Sequence, residues 1–315
     1  MQQAILCPGQ GAQHVGMGKD FFESHQAARD VYALADEILG FPLSTLCFQG
    51  PDARLQQTDH AQVGIFVTTV AIYQSLKAAG KLPDAVGAAA GLSLGEYSAL
   101  YIAGAIALPD AIRLVRARGE LMQAAAVAQP STMLALVGAD ETQAAEICHQ
   151  AAGHGIVVMA NFNAPGQIVL SGGVEACAQA AKVAQAMGVR SVPLNVAGAF
   201  HSPFMRPAAD KMREILAGVP LVMPHIAVIS NVTARPHESV ETMRELLVEQ
   251  IVAPVRWNQS MDYLRQQGTQ QYLELGPGRV LTGLMKKIDR RAPITNMSSA
   301  DALAAPVSTP SAANE

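Results

Sequence analysis

The sequence is poor in cysteine, and its cysteines are not arranged in pairs. The four are scattered along 315 residues and form no C-x-x-C motif: Cys7, Cys47, Cys148 and Cys177. Disulfide frameworks and zinc ribbons need closely spaced cysteines, so we expect neither, and we expect small core residues instead. The eight histidines include only one close pair, His149 and His154. The sequence therefore predicts no metal site.

The chain also lacks an excess of one charge and a long apolar run. Its formal net charge is −4, from 22 basic and 26 acidic residues that are dispersed along the chain. No basic patch indicates a nucleic acid or an anionic membrane as a partner. Its apolar runs are interrupted well before the roughly 18 residues of a membrane span, and its first residues do not resemble a signal peptide. We therefore expect a cytoplasmic protein with no nucleic-acid or membrane partner.

Apolar residues are abundant and make up 50% of the chain. This length and composition allow one large domain with an insertion, or two modest domains. Short apolar runs alternate with long helical patterns, which is typical of an α/β domain with a parallel sheet. The predicted strands of this domain lie at 4–7, 85–90, 226–230 and 271–275, and the predicted helices at 20–39, 64–79, 109–126, 203–217 and 240–251.

The pattern changes between about residues 132 and 196. The predicted elements there are strands at 133–137, 156–161, 167–171 and 189–194 and helices at 141–151 and 175–187. This β-α-β-β-α-β order is that of a ferredoxin-like unit. We therefore predict a small subdomain at 132–196 inserted into a large domain formed by 1–131 and 197–300. Residues 301–315 are mostly Ala, Pro, Ser and Thr, and are predicted to form a disordered tail.

A serine flanked by glycines is the clearest candidate for catalysis. It lies in Gly91-Leu92-Ser93-Leu94-Gly95, between a small-residue strand and a helix. A sharp strand-to-helix turn of this kind displays a nucleophilic hydroxyl at the edge of the sheet, and its glycines allow the chain segments to pass closely. The helix N-terminus there favours developing negative charge. A purely structural packing turn is the alternative interpretation.

A nucleophilic serine needs a base, and His201 is the best candidate. It lies in Ala199-Phe200-His201-Ser202-Pro203, a loop that opens a predicted helix beyond the inserted subdomain. In a Ser-His couple, the imidazole would take the hydroxyl proton and later return one to the leaving group. The alternative is a histidine that only packs or caps at the helix start. No aspartate is evidently placed to orient His201, but a backbone carbonyl could do so.

The loop after the first predicted strand, Pro8-Gly9-Gln10-Gly11-Ala12-Gln13, is a second unusual feature. The dinucleotide fingerprint G-x-G-x-x-G would require glycine at position 14, where the chain has His14. A loop from a neighbouring strand commonly completes the oxyanion hole of such serine sites. Gln10 is therefore predicted to complete an oxyanion hole with the backbone N–H of Leu94, and a tight structural turn remains the alternative.

Arginines on one predicted helix bear on the class of substrate. At about 100° per residue, Arg113 points away from the apolar stripe of this helix and should be solvated, whereas Arg118 projects from the flank of the stripe. An arginine there can reach over the core into a cleft and grip a carboxylate with two parallel hydrogen bonds. A structural ion pair for Arg118 is the alternative.

Together these features resemble the malonyl-CoA:acyl-carrier-protein transacylases and the related acyltransferase domains of fatty-acid and polyketide synthases. The matching segments cover about residues 4 to 290 in the expected order. They are Pro8-Gly9-Gln10-Gly11, Gly91-Leu92-Ser93-Leu94-Gly95-Glu96, Arg118-Gly119, Asn161-Phe162-Asn163-Ala164-Pro165-Gly166-Gln167, His201, Pro254-Val255-Arg256-Trp257 and Glu274-Leu275-Gly276-Pro277-Gly278. The resemblance implies an α/β-hydrolase-like large domain with a ferredoxin-like subdomain.

The resemblance also implies roles for individual residues. These are Ser93 as nucleophile, His201 as base, Arg118 as the clamp on the malonyl carboxylate, Gln10 and the Leu94 N–H as oxyanion stabilisers, Phe200 and Asn163 as substrate-binding residues, and the main-chain carbonyl of Gln250 as the group that orients the histidine. Phe200 is similar to the residue found in malonyl-selective relatives. Two positions depart from the family, because most relatives have histidine at position 92 and many have asparagine at position 253, where this chain has Leu92 and Ala253.

The implied reaction is a two-step transfer, in which Ser93 takes malonyl from malonyl-CoA and the phosphopantetheine thiol of an acyl carrier protein then collects it. No permanently bound cofactor is expected, and the chain is expected to be a monomer. The alternatives are a serine hydrolase or thioesterase, the transacylase subunit of a malonate decarboxylase, and a non-catalytic protein that docks a carrier.

Overall fold

A computed structural model describes residues 3–83 and 85–304 of the chain. Its strands, in chain order, are β1 (Gln3–Cys7), β2 (Val86–Gly91), β3 (Ser131–Val137), β4 (Val157–Ala164), β5 (Gln167–Gly173), β6 (Arg190–Pro193), β7 (Ala227–Ile229), β8 (Gln271–Leu275) and β9 (Ile294–Met297). One sheet has the order β7-β2-β1-β8-β9, and all of its neighbouring strands are parallel.

Most of the described helices pack around this parallel sheet, and two of them pack against a second sheet. In chain order they are α1 (Lys19–Ser24), α2 (Gln26–Leu39), α3 (Leu43–Gln49), α4 (Asp52–Leu55), α5 (Thr58–Ala78), α6 (Gly95–Ile102), α7 (Leu108–Ala128), α8 (Glu141–Ala151), α9 (Val174–Ala186), α10 (Arg206–Ala217), α11 (Val240–Glu249), α12 (Trp257–Gln266), α13 (Val280–Ile288) and α14 (Asp301–Ala304). Within the described ranges no helix is by itself long and apolar enough to cross a membrane, and α2 with α3 reaches that composition only as a pair bent by 119°.

Both faces of the parallel sheet are buried. Successive side chains of a strand point to opposite faces, so Ile5 and Cys7 of β1 pack in the core cluster that includes α2, α5, α6 and α7. Ala4 and Leu6 pack on the other face, in the cluster that includes α12 and α13. This two-sided burial explains why the strands appear in the sequence as short continuous apolar runs.

A second, antiparallel sheet is formed by the segment β3-α8-β4-β5-α9-β6. Its strand order is β4-β5-β3-β6, and it has its own core, which includes Leu134, Ile147, Leu170 and Ala180. The predicted fold class, a parallel α/β domain with a βαββαβ unit, is therefore confirmed. The domain boundaries at 1–131, 132–196 and 197–300 stay a prediction.

Main-chain hydrogen bonds connect β4 of the small sheet to the segment that precedes α12. The Phe162 N–H donates to the carbonyl of Val255 at 2.9 Å, and the Val255 N–H donates to the carbonyl of Ala160 at 2.8 Å. Val255 precedes α12, which packs on the parallel sheet, so β4 is held against the large sheet by hydrogen bonds as well as by packing. This junction places one edge of the small sheet beside the carboxyl ends of the parallel strands.

Some elements differ from those predicted. The helix predicted at 20–39 is two helices, because His25 between them has extended backbone dihedrals of −127° and 127°. Sequence patterns did not indicate the short helices α3 and α4, nor α12, α13 and β9 near the end of the chain. These helices and this strand are short or bury only a narrow stripe of apolar side chains. Short helices owe their stability mainly to tertiary packing, which a local sequence pattern does not show.

Part of the segment predicted as a disordered tail is helical. Asp301–Ala304 forms the helical turn α14, because Leu303 is buried in the main core and its carbonyl accepts a hydrogen bond from the Lys81 amine. These two contacts hold the turn against the rest of the protein. Residues 305–315, the rest of the predicted tail, lie outside the described residues.

The turn from β2 into α6 is sterically tight. A β-carbon added to Gly91 would lie 1.8 Å from the carbonyl carbon of Gly95, and one added to Gly95 would lie 2.1 Å from the carbonyl oxygen of Cys7. Ser93, between these glycines, has a φ of 52°, in the left-handed region. This backbone strain is held in place by the packing of β1 and α6 around the turn.

Replacing Gly91 with alanine should strongly destabilise the protein, because the new β-carbon would meet backbone atoms that cannot move independently. We expect the free energy of unfolding, measured by urea denaturation, to fall by at least about 3 kcal/mol. The matched control is Gly283→Ala on the exposed side of α13, where a β-carbon meets nothing within 4 Å and alanine should raise stability by about 0.5–1 kcal/mol. Equal stabilities of the two variants would contradict this account of the turn.

Candidate active site

Ser93 lies at the carboxyl end of β2, where the tight turn presents its hydroxyl at the edge of the parallel sheet. Its N–H donates to Oδ1 of Asn231 at 2.6 Å, and Nδ2 of Asn231 donates to the carbonyl of Gly91 at 2.7 Å. Asn231 follows β7, the neighbouring strand, so one amide side chain holds both sides of the turn. The hydroxyl oxygen is left free to face the other predicted site residues.

His201 and Ser93 are in direct contact. Nε2 of His201 is 2.8 Å from the Ser93 Oγ, and Nδ1 is 2.7 Å from the main-chain carbonyl of Gln250. Because a carbonyl only accepts hydrogen bonds, Nδ1 carries the proton and the Nε2 lone pair faces the hydroxyl. This is the tautomer that a base for Ser93 requires, and no carboxylate is needed to select it.

The surroundings of His201 favour its neutral form. Burial first, and then the charge of Arg118, lower its pKa from the ordinary value of 6.5 to about 4. The imidazole is therefore uncharged at neutral pH and available to accept the Ser93 proton.

Arg118 is fully buried and lies beside the same hydroxyl. Its Nη2 donates to the Ser93 Oγ at 3.1 Å and to Oε1 of Gln250 at 3.0 Å, and its Nη1 donates to Oε1 of Gln62 at 2.6 Å. The guanidinium carbon lies 5.4 Å from the ring centroid of Tyr97, and Nε has no hydrogen-bond partner. The guanidinium is thus held by amides and an aromatic ring.

The structure shows no structural ion pair for Arg118 within the described residues, which was the alternative interpretation. Within the described residues no carboxylate forms an ion pair with it, and burial lowers its pKa. By contrast, Arg116 on the same helix pairs with Asp59 and Glu120, and the side chain of Arg113 is 62% exposed, as predicted. A buried cation without a charged partner is costly unless a ligand supplies the anion.

The loop that contains Gln10 packs directly against the turn. A β-carbon at Gly9 would lie 2.2 Å from the carbonyl oxygen of Leu92, so only glycine allows this approach. Nε2 of Gln10 points to the Thr58 hydroxyl at 3.4 Å. The main-chain N–H groups of Gln10 and Leu94 donate to no acceptor within the described part of the chain. Both are free to bind a developing oxyanion.

These residues share one cavity of about 580 Å³. The predicted site residues that line it are Gln10, Ser93, Leu94, Arg118, Asn163, Phe200 and His201. Gln250 reaches the site through its hydrogen bonds. Oδ1 of Asn163 is buried and has no hydrogen-bond partner among the described residues, which leaves an acceptor for a ligand. The departure at Leu92 places an apolar side chain in the cavity wall.

Sequence reasoning missed four polar residues around the cavity: Gln62, which lines it, and Glu96, Asn231 and His237, which lie behind it. Two of them left a signal. Glu96 is a charged residue in the otherwise apolar or neutral segment of α6, and Asn231 directly follows the strand β7, at the sheet edge where ligands of α/β proteins bind. Their partners come from distant parts of the chain, so no local pattern could have assigned the contacts.

The arrangement combines a hydroxyl, a neutral imidazole, two free N–H groups and an unpaired guanidinium around one cavity. Such a set can carry an acyl group on Ser93 and can select acyl groups with a free carboxylate. It is the combination required for transfer of an acidic acyl group.

Comparisons with known proteins agree with this chemistry. Residues 5–304 match the family model described as acyl transferase domain. The chain is 41% identical over 290 residues to a malonyl CoA-acyl carrier protein transacylase of Bacillus subtilis, covering 91% of this chain and 90% of that one. It is 39% identical over 289 residues to the Escherichia coli K12 protein of the same name, covering 91% and 93%. A solved malonyl-transacylase in complex with a type II polyketide-synthase acyl-carrier protein superposes with a TM-score of 0.92 at 38% identity, covering 96% of this chain and 98% of that one.

The perturbed histidine makes protein stability depend on pH. Between pH 6.5 and about 4 the unfolded chain protonates His201 and the native chain does not, so stability should fall as the pH falls through this window, by roughly 1.4 kcal/mol per unit. His201→Gln should remove this contribution. The measurement is urea denaturation of both proteins from pH 4.5 to 8, with the exposed His154→Gln as the control for loss of an imidazole. Parallel pH profiles for wild type and His201→Gln would contradict the assignment.

Proposed function

Because the chain belongs to the malonyl-CoA:acyl-carrier-protein transacylase family, we propose that it transfers malonyl from malonyl-CoA to the phosphopantetheine thiol of an acyl carrier protein, through a malonyl ester of Ser93. The observation that carries this proposal is Arg118, a buried cation without a carboxylate partner, whose Nη2 is 3.1 Å from the Ser93 Oγ. The product supplies fatty-acid or polyketide synthesis.

In the first half-reaction, the Ser93 Oγ attacks the thioester carbonyl of malonyl-CoA while His201 Nε2 takes the hydroxyl proton. The N–H groups of Gln10 and Leu94 stabilise the oxyanion. When the carbon–sulfur bond breaks, His201 returns the proton to the sulfur, and CoA leaves as the free thiol. Malonyl is then an ester of Ser93.

The second half-reaction repeats these steps with the carrier. His201 takes the proton of the phosphopantetheine thiol, the sulfur attacks the ester carbonyl, and the proton goes to the Ser93 oxygen as the ester bond breaks. One thioester replaces another, so malonyl-CoA and the carrier's phosphopantetheine are the only non-protein groups that the reaction requires.

Specificity for malonyl is assigned to Arg118, whose guanidinium can bind the free carboxylate and so acquire the counter-charge that the protein does not provide. Phe200 limits the space beside His201, and the unpaired Oδ1 of Asn163 accepts a hydrogen bond from the substrate. The monomeric state and cytoplasmic location predicted from the sequence are part of this proposal.

Intact-mass analysis tests the proposal. The wild-type protein mixed with equal malonyl-CoA and acetyl-CoA should gain the mass of one malonyl group, and Ser93→Ala should gain none. Addition of an acyl carrier protein that bears phosphopantetheine should then move malonyl to the carrier. Free malonate as the main product would favour a hydrolase, and a wild-type protein that is never acylated would favour a non-catalytic carrier-docking role.

Arg118→Ala should reduce the preference for malonyl over acetyl by about 100-fold, because it removes the partner of the carboxylate. The measurement is the ratio of kcat/KM values for loading of Ser93 from the two thioesters. Arg118→Lys should recover the preference only in part, since lysine keeps the charge but not the planar fork. The matched control is Arg116→Ala on the same helix, which does not line the cavity. An unchanged ratio in Arg118→Ala would exclude Arg118 from the substrate site.

Gln10→Ala should slow acylation of Ser93 by less than about tenfold, because the N–H that we assign to the oxyanion belongs to the main chain and is retained. Loss of a true oxyanion donor costs about 100- to 1000-fold. Single-turnover acylation by malonyl-CoA, followed by mass spectrometry, measures the rate. If Gln10→Ala instead slowed acylation by about 100- to 1000-fold, the oxyanion donor would be the side-chain amide of Gln10.

A further inference from the structure

Glu96 is a fully buried carboxylate that does not line the cavity. Its Oε2 accepts hydrogen bonds from Nε2 of Gln250 at 2.6 Å and from the N–H of Asn231 at 3.0 Å, and its Oε1 is 2.9 Å from Nε2 of His237. Asn231 and His237 lie in the loop between β7 and α11, Gln250 directly follows α11, and each of the three contributes a donor. Glu96 is thus the point at which the polar groups behind the cavity meet.

The side chain of Gln250 connects Glu96 to the cavity. Its Nε2 also donates to the carbonyl of Ser93 at 3.0 Å, and its Oε1 accepts from Nη2 of Arg118 at 3.0 Å. The main-chain carbonyl of the same residue accepts from Nδ1 of His201. One residue therefore contacts the nucleophile, the base and the guanidinium.

The charges around this amide determine which way it points. The Glu96 carboxylate and the Ser93 carbonyl are acceptors, so the NH₂ group must face them. The Arg118 guanidinium has only donors, so Oε1 must face it. Glu96 makes the shorter of the two bonds to Nε2, so its acceptor oxygen contributes most to this orientation.

The turn that carries Ser93 depends less on Glu96 than the Arg118 guanidinium does. The amide of Asn231 is held by the turn itself, through the Ser93 N–H and the Gly91 carbonyl, whereas Glu96 contacts only the backbone N–H of Asn231. Loss of the Glu96 acceptor should therefore disturb the guanidinium of Arg118 more than the nucleophile. The bond from Arg118 to Gln62 remains, so the disturbance should be partial.

We propose that Glu96 is a positioning residue for acyl selectivity, which orients the Gln250 amide and so holds the Arg118 guanidinium where it can bind the malonyl carboxylate. The inference rests on the proposed function. It assigns Glu96 no contact with the substrate and no part in proton transfer. Its effect should be on selectivity for a carboxylate-bearing acyl group, with loading of acetyl largely retained.

Two substitutions separate the positioning role from the charge of Glu96. Glu96→Gln loses the charge but keeps an acceptor oxygen for Gln250 and Asn231, because its NH₂ group can face Nε2 of His237. That contact requires the ring proton of His237 to be on Nδ1, which has no hydrogen-bond partner among the described residues. Glu96→Met has a similar length and no comparable acceptor. Glu274→Met is the matched control, since Glu274 is equally buried and accepts hydrogen bonds from Leu281 and Thr282 of α13 and from Asn296 of β9.

The readout is the malonyl-to-acetyl ratio of kcat/KM for Ser93 loading. We expect Glu96→Met to lower this ratio by about tenfold or more, and Glu96→Gln and Glu274→Met to leave it within about threefold of wild type. In the Arg118→Ala background, Glu96→Met should lower the ratio no further, since both substitutions act through one guanidinium.

Other results would overturn the inference. An unchanged malonyl-to-acetyl ratio in Glu96→Met would exclude a positioning role for Glu96. Equal losses of this ratio in Glu96→Gln and Glu96→Met would also exclude it, and would assign the effect to the charge of Glu96. If Glu96→Met does not fold, Gln250→Met breaks the same connection while keeping the carbonyl that holds His201, and it should lower the ratio similarly. Failure of the wild-type protein to load malonyl at all would instead contradict the proposed function.

Discussion

The tight turn at Ser93 is the constraint on which the rest of the site depends. Its left-handed backbone exists only because Gly91 and Gly95 let β1 and α6 pass within contact distance. The same closeness aligns the Leu94 N–H with the loop that follows β1. Strain in the turn, a displayed hydroxyl and a preformed anion site are therefore consequences of a single packing arrangement.

Two buried charges of opposite sign lie in this core without forming an ion pair. Arg118 faces the cavity, Glu96 lies behind it, and the amide of Gln250 separates them. A direct ion pair would neutralise the guanidinium and reduce its affinity for a substrate carboxylate. An intervening amide keeps the guanidinium oriented and leaves part of its hydrogen-bonding capacity unused, as the unpaired Nε indicates. Among the described residues, the groups that contact the buried Arg118 guanidinium are polar or aromatic, and none is a carboxylate.

The inserted sheet supplies the second wall of the cavity. Met133 of β3, Asn161 and Asn163 of β4 and Val169 of β5 line it opposite the parallel sheet. The hydrogen bonds between β4 and Val255 hold this wall in place. The small sheet in this position shapes the cavity without contributing Ser93 or His201, which belong to the larger sheet and its loops.

Local patterns were enough to predict the fold class, the glycine-flanked Ser93, and the candidates His201, Arg118 and Gln10. Apolar periodicity and turn residues are local properties, and the family resemblance added the carbonyl of Gln250. Three further features became visible in the folded chain: Arg118 has no carboxylate partner among the described residues, Glu96 contacts Gln250, and a helical turn follows residue 300. Hydrogen bonds between side chains far apart along the chain depend on how the sheets and helices pack, and this packing leaves no periodic signal in the sequence.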